Sequence, residues 1–387
     1  AALGWPAARP PPRAPCAARD GARSACAASC RLGMHPPPEW RPPVPSDDAV
    51  QVTHVDAALA KASCARLGYF EDRWTEQLIR SSRPATRSPL IHRGYYSRVK
   101  AMRAGLDQFL QRCPRGGGCQ VVNLGAGFDT VFFWLREDES RWRDDLVYFE
   151  VDFPEVISKK VSAVLKKQSV WPLFDATSQE DLVSAELSCS GTRELRTPHC
   201  KYVATDMRTV QELNSEVLKA GFRPNVPTLF MAECVLVYMQ SLHGDGIIEW
   251  AAGAVPDAPS AMIVYEQTNP LDPFGKMMVE NLAQRGCPLL SIHEYPTLQA
   301  QRERYLQRGW ERCSLADMKE VYYKHLDQAD VDRINKLELL DEFEEFHLIQ
   351  QHYFFLAATR APGGAAPWIH DVAAMFGTPP GTSAAES

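Results

Sequence analysis

Three acidic residues stand at the ends of short apolar runs: Asp152 in "FEVDFP", Asp206 in "YVATDM" and Glu233 in "LFMAEC". A carboxylate so placed can accept the hydroxyls of a ribose, read an adenine edge together with adjacent backbone amides, or hold a cation. Upstream, "VVNLGAGFDT" (121–130) sets Gly125 and Gly127 between a β-branched run and "VFFWL" (131–135), whose apolar residues recur at helical spacing. Glycines there permit a tight turn and let a ligand approach backbone N–H groups beside the positive end of a helix. Asp129 has the residue type of that helix's N-cap. Asp152 either meets a ribose bound over the glycines or simply caps the turn before Pro154. Glu233 sits inside an otherwise apolar run, and a lone buried charge is costly, so it pairs with a structural cation or awaits a cationic ligand.

The elements that must position these acids follow from the patterning. β-rich runs at 146–154, 201–207, 227–238, 260–268, 309–315 and 352–360 alternate with helical stretches. That alternation predicts a mainly parallel sheet with helices on both faces, which binds ligands at the carboxyl ends of its strands. The chain has 387 residues and a net charge of -6, with no long Lys/Arg run, which argues against an extended nucleic-acid footprint. No apolar stretch approaches the length of a membrane span. Eleven scattered cysteines, without Cys-x-x-Cys pairs, read as reduced thiols of an intracellular protein, cytoplasmic or nuclear. The ten histidines have no metal-ligand spacing, so no metal is expected. Residues 1–46 are rich in Ala, Pro and Arg and are expected to form a disordered leader. Residues 361–387 are expected to form a disordered tail, leaving 47–360 as the folded domain. The acidic run "DEFEEF" (341–346) reads as a solvated helix face.

The chain lacks a Gly-x-x-x-x-Gly-Lys-Ser/Thr loop and the third glycine of the dinucleotide fingerprint, so a nucleoside without phosphates fits the acids better. S-adenosylmethionine, with its ribose, sulfonium and ammonium, has that shape. Five motifs then appear in order: "HRGYYSRV" (92–99), "VVNLGAGFDT" (121–130), "YFEVDFPEV" (148–156), "AECVLVYM" (232–239) and "YEQTNPLDPFGKMM" (265–278). Together they resemble the leucine carboxyl methyltransferases over residues 58–360. The resemblance implies the class I S-adenosylmethionine-dependent methyltransferase fold, Rossmann-like, with a seven-stranded mainly parallel sheet and an added helical cap. It implies methyl esterification of the C-terminal leucine of the protein phosphatase 2A catalytic subunit, by a monomer. It also implies cofactor contacts for Lys61, Arg93, Gly125, Asp152, Asp206, Met207 and Glu233, to which the glycine turn adds Gly127.

Methyl transfer from a sulfonium to a carboxylate needs no general base, because the acceptor is already ionised near neutral pH. Alignment in a desolvated pocket supplies the acceleration. Arg93 can grip a carboxylate through two N–H groups and Lys61 can add a point charge. The residues leave open whether the methionine part or the acceptor is held, and the resemblance favours the methionine part. Tyr95, Tyr238 and Gln267 are the acceptor-pocket candidates by motif position, with Arg93 and Tyr238 the expected catalytic pair. Against these stand simpler readings: Arg93 stacked on neighbouring aromatics, Tyr238 packed in the core, Lys61 solvated. Three other functions remain in view. The run "EEFHLIQQHYFFLAATR" (344–360) is similar to the wybutosine-forming tRNA methyltransferases, related enzymes methylate small acids, and a non-catalytic phosphatase-binding scaffold would share the fold.

Overall fold

The computed structural model describes residues 47–79, 87–364 and 366–374. The leader and residues 375–387 of the expected tail lie outside the described residues. In chain order the helices are α1 (Asp47–Arg66), α2 (Thr75–Leu78), α3 (Pro89–Arg112), α4 (Val131–Arg136), α5 (Pro154–Leu165), α6 (Val210–Lys219), α7 (Ser241–Gly253), α8 (Pro273–Gln284), α9 (Leu298–Leu306), α10 (Met318–Glu320), α11 (Gln328–Ile334), α12 (Phe343–Gln351) and α13 (His370–Ala373). The strands are β1 (Cys119–Leu124), β2 (Leu146–Asp152), β3 (Val183–Leu187), β4 (Arg193–Leu195), β5 (Cys200–Ala204), β6 (Thr228–Glu233), β7 (Ser260–Gln267), β8 (Arg312–Asp317) and β9 (Tyr353–Arg360).

Seven strands form one sheet in the order β5-β2-β1-β6-β7-β9-β8. The first five run parallel, and β9 inserts antiparallel between β7 and β8. This is the sheet that the resemblance predicts. Successive residues of β1 point to opposite faces, so Val121 joins one core layer and Val122 the other. The first layer includes Leu106 of α3, Phe132 of α4 and Ile157 of α5. The second includes Leu213 of α6, Ile247 of α7 and Tyr305 of α9. Both faces of the central strands are therefore covered, and every residue of β1 and β7 is buried, polar ones such as Gln120, Asn123 and Glu266 included. On the side of the first layer, α1, α2 and the α10–α12 region add side chains such as Cys64, Leu78, Met318 and Phe346 to that core, with α1 and α12 packed against α3 as a cap.

Three expectations change. The run 227–238 is a strand only to Glu233; Leu236–Tyr238 is a 3-10 turn. β3 and β4 pair as a separate antiparallel hairpin that the patterning does not flag. Folded structure also continues past residue 360: Ile369 and Val372 are fully buried, and α13 packs on β9, β8 and α3. The tail expected from 361 onward thus includes a segment that closes the core.

Candidate active site

The carboxyl ends of β1, β2 and β6 open on a cavity of about 440 Å³ whose walls include Gly125, Gly127, Asp152, Met207 and Tyr238. A smaller one of about 70 Å³, lined by Lys61, Arg98, Asp129 and Glu233, shares Gly125, Gly127, His54 and Cys234 with it. Both glycines have left-handed backbones, with φ of 67° and 53°. A Cβ on Gly125 would lie 2.5 Å from Val235 Cγ2, and one on Gly127 would lie 2.8 Å from His54 Cβ. Only glycine suits either position.

Asp152 ends β2 beside this turn. Its Oδ2 accepts the Gly127 N–H at 2.7 Å and its Oδ1 accepts the Phe153 N–H at 2.7 Å. Burial raises the carboxyl to about 6 against the lowering effect of those two amides. Met207 lines the cavity, but the Asp206 carboxylate is taken up by Arg208, which donates from Nε at 2.9 Å and Nη2 at 2.6 Å. Arg208 also reaches across to Asp47 at 2.8 Å, so the start of α1 is tied to the body at the cavity's edge.

Glu233, at the end of β6, is the centre of the second cavity. Lys61 of α1 lies 3.1 Å from its Oε1, and Arg98 of α3 donates to it through Nε. Lys61 also reaches Asp129 at 3.3 Å. Burial pushes Glu233 up, but the Arg98 and Lys61 charges outweigh it and hold the carboxyl at about 2. Asp129 does not cap α4; its other oxygen accepts from Asn123 Nδ2 at 3.0 Å, and Thr130 occupies the N-cap position with its hydroxyl donating to Asp72 at 2.6 Å instead of capping the helix. Behind it, the fully buried Lys160 pairs with Glu150 and donates to the Asp129 carbonyl at 2.7 Å.

The structure does not bring Arg93 to this site. Its guanidinium donates to Asn335 Oδ1 at 2.5 Å and lies 5.9 Å from the Phe343 ring centroid, within the cap. Arg98, five residues on, lines the second cavity instead. The Arg98 guanidinium stacks over Tyr95 at 5.3 Å and Tyr265 at 5.0 Å, and Tyr265 stacks on Tyr353 at 5.2 Å. The three acceptor-pocket candidates are all buried. The Tyr95 and Tyr238 hydroxyls and both Gln267 amide atoms make no well-formed hydrogen bond, although Gln267 lies close to Tyr238 and Tyr353. Burial pushes the Tyr95 phenol up to about 12, so it stays protonated. Unsatisfied buried hydroxyls of this kind are available to a ligand.

A family model for leucine carboxyl methyltransferase matches residues 49–252. The Arabidopsis thaliana leucine carboxyl methyltransferase 1 homolog is 37% identical over 306 residues, covering 79% of this chain and 87% of that protein. The chain belongs to the leucine carboxyl methyltransferase family. The Bos taurus leucine carboxyl methyltransferase 1 is 36% identical over 327 residues, covering 84% of this chain and 93% of its own length. A human protein named tRNA wybutosine-synthesizing protein 4 is 36% identical over 315 residues, covering 81% of this chain and 44% of its own length.

As a member of the family the chain is a carboxyl methyltransferase, and S-adenosylmethionine is its cofactor. The residues present fit that cofactor. Asp152 and the glycine turn suit the ribose, Met207 an apolar adenine face, Glu233 and Asp129 the ammonium, and Lys61 with Arg98 a carboxylate. Of the expected contacts, Lys61, Gly125, Gly127, Asp152, Met207 and Glu233 line the two cavities, Asp206 stands next to them, and Arg93 is elsewhere.

Proposed function

We propose that this chain methylates the C-terminal leucine carboxylate of a protein, the protein phosphatase 2A catalytic subunit, and that it does so as a cytoplasmic or nuclear monomer. The observation that carries this reading is the buried group of Arg98, Lys61, Glu233 and Asp129 set beside the protonated phenols of Tyr95 and Tyr238. S-adenosylmethionine, when bound, supplies an electrophilic methyl on a sulfonium. The chain's own residues have three tasks. Lys61 and Arg98 hold carboxylate groups by charge, Glu233 stays ionised to receive the ammonium, and the phenols with Gln267 donate to the acceptor. No side chain has to remove a proton, since a leucine carboxylate is ionised at neutral pH. Charge is neutralised along the reaction, so a dry, aligned site favours it. Eight described cysteines, all free, are in keeping with a reducing compartment.

A second reading has one observation in its favour: the human wybutosine-synthesizing relative matches about as well as the leucine carboxyl methyltransferases do. The net charge of -6 weighs against a tRNA acceptor. Methyl-labelled S-adenosylmethionine offered with phosphatase catalytic subunit, with and without its terminal leucine, and with precursor tRNA separates the readings. Label confined to the subunit with the intact tail is the expected result. Label on tRNA alone overturns the proposal in favour of the second.

A further inference from the structure

The turn after β6 forms one wall of the cofactor cavity through Cys234, Val235 and Tyr238. Its backbone is unusual: Cys234 carries a φ of 57°, a conformation that a non-glycine residue holds only when its surroundings enforce it. Part of that enforcement comes from a buried carboxylate with no place in the chemistry derived above. Glu266, near the end of β7 and 1% exposed, accepts the N–H groups of Val235 at 3.1 Å and Val237 at 3.0 Å on its Oε1. The preceding residue, Tyr265, accepts the Cys234 N–H at 2.7 Å on its carbonyl.

The cation that compensates Glu266 comes from α9. Arg304 is 1% exposed and donates through Nε to Asp245 Oδ1 at 2.8 Å, while its Nη1 and Nη2 are buried without a hydrogen bond. Its charge, together with the N–H groups of Val235 and Val237, lowers the Glu266 carboxyl against the upward push of burial. The guanidinium fits because residue 244 is glycine: a Cβ there would lie 2.6 Å from Arg304 Nη2 and 3.5 Å from the Leu236 carbonyl oxygen. Asp245 is held in turn by the Tyr295 hydroxyl at 2.8 Å and by Arg308.

We infer that Glu266 is a positioning residue for the cofactor: backed by Arg304 and Asp245, it fixes the turn 234–238 and so presses Val235 against Gly125 and sets the cavity wall. The inference rests on the cofactor site and not on the identity of the acceptor.

The test uses the full chain and S-adenosylhomocysteine as the probe, with Glu266→Gln, Gly244→Ala and Arg304→Lys. Three quantities are read: affinity by calorimetry, the thermal midpoint, and hydrogen exchange of peptides covering 234–239. Gly244→Ala puts a better helix former into α7 but crowds the buried tip of Arg304, so the two effects on its thermal midpoint oppose each other and the chain stays folded. Its affinity nonetheless falls at least threefold, and the amides of Val235 and Val237 exchange at least threefold faster while those of β1 and β7 do not change. Glu266→Gln loses tenfold or more in affinity, and Arg304→Lys, which keeps the charge, loses less than Glu266→Gln. Glu266→Gln and Gly244→Ala both binding within twofold of the unaltered chain overturns the inference, as does faster exchange spread evenly over the sheet. If Glu266→Gln does not fold, Gly244→Ala decides alone.

Discussion

Arg93 and Arg98 lie on the same helix, five positions apart, which sets them about 140° from each other around its axis. Arg98 is three residues from Tyr95 and shares its face, whereas Arg93 turns into the cap and meets Asn335. Helical spacing from Tyr95, an acceptor-pocket candidate, was therefore the signal that separates the two arginines, and motif position alone does not carry it. Asp129 hid for a similar reason: its type suits an N-cap, and its pairing with Lys61 depends on a helix far away in sequence. Arg98→Ala should weaken S-adenosylhomocysteine binding by about 10- to 150-fold, since a charge-assisted hydrogen bond is worth about 1.5–3 kcal/mol. Arg93→Ala should instead lower stability by about 1–3 kcal/mol and leave affinity within about threefold. Calorimetry beside chemical denaturation distinguishes them, and equal losses of affinity would reject the assignment. Asp152 predicts a pH dependence. With its carboxyl raised to about 6, the group takes up a proton as pH falls and can no longer accept two ribose hydroxyls. Affinity should be flat above pH 7 and fall about tenfold per unit below pH 6. Stability has the opposite sign for this group: its raised value means that fold stability is lost as pH rises from about 4 to about 6. Glu233, depressed to about 2, contributes stability above its unfolded value and loses it as pH falls toward 2. A calorimetric affinity that is unchanged between pH 7 and pH 5 would remove Asp152 from the ribose site.

At the scale of elements, the parallel strands were legible because strands buried on both faces are mostly apolar, and their ends mark the site. The β3–β4 hairpin was not, since its strands are short and one of its ends, Leu187, is exposed. Helix α1 is the element most tied to function. Asp47 near its start pairs with Arg208 and Lys61 near its end pairs with Glu233, while Val50, Thr53 and His54 line the cavity between them. Its 20 residues, about 30 Å long, therefore lie across the whole cofactor site. The residues of its first half are not fully buried, so the outer attachment is the weaker one. Exposed ion pairs are worth about 0.2–1 kcal/mol. Arg208→Ala should accordingly speed release of S-adenosylhomocysteine by up to about fivefold, and added salt should do the same to the unaltered chain. Stopped-flow release rates that ignore both changes would show that α1 does not govern exit.

At the scale of the whole molecule, the boundary drawn at residue 360 misplaces the end of the core. Ala, Gly and Pro surround Ile369 and Val372, and composition averages hide two buried side chains in such a background. Burying a side chain of this size contributes about 1.5–3 kcal/mol. Ending the chain after Arg360 should therefore lower stability by several kcal/mol, on the order of the margin that keeps a domain folded, as read by denaturant unfolding. A truncated chain as stable as the full one would return 361–374 to the status of a tail. The position of β9 has a wider effect. It is the last described strand, yet it occupies an interior slot, bonded to β7 on one side and β8 on the other. During synthesis the parallel strands leave the ribosome first and can assemble early, but the open edge of β7 stays unpaired until residues 353–360 emerge. A nascent chain paused before that point carries an exposed, apolar template for mispairing, so new copies of this enzyme should call on chaperone shelter until β9 has emerged and paired.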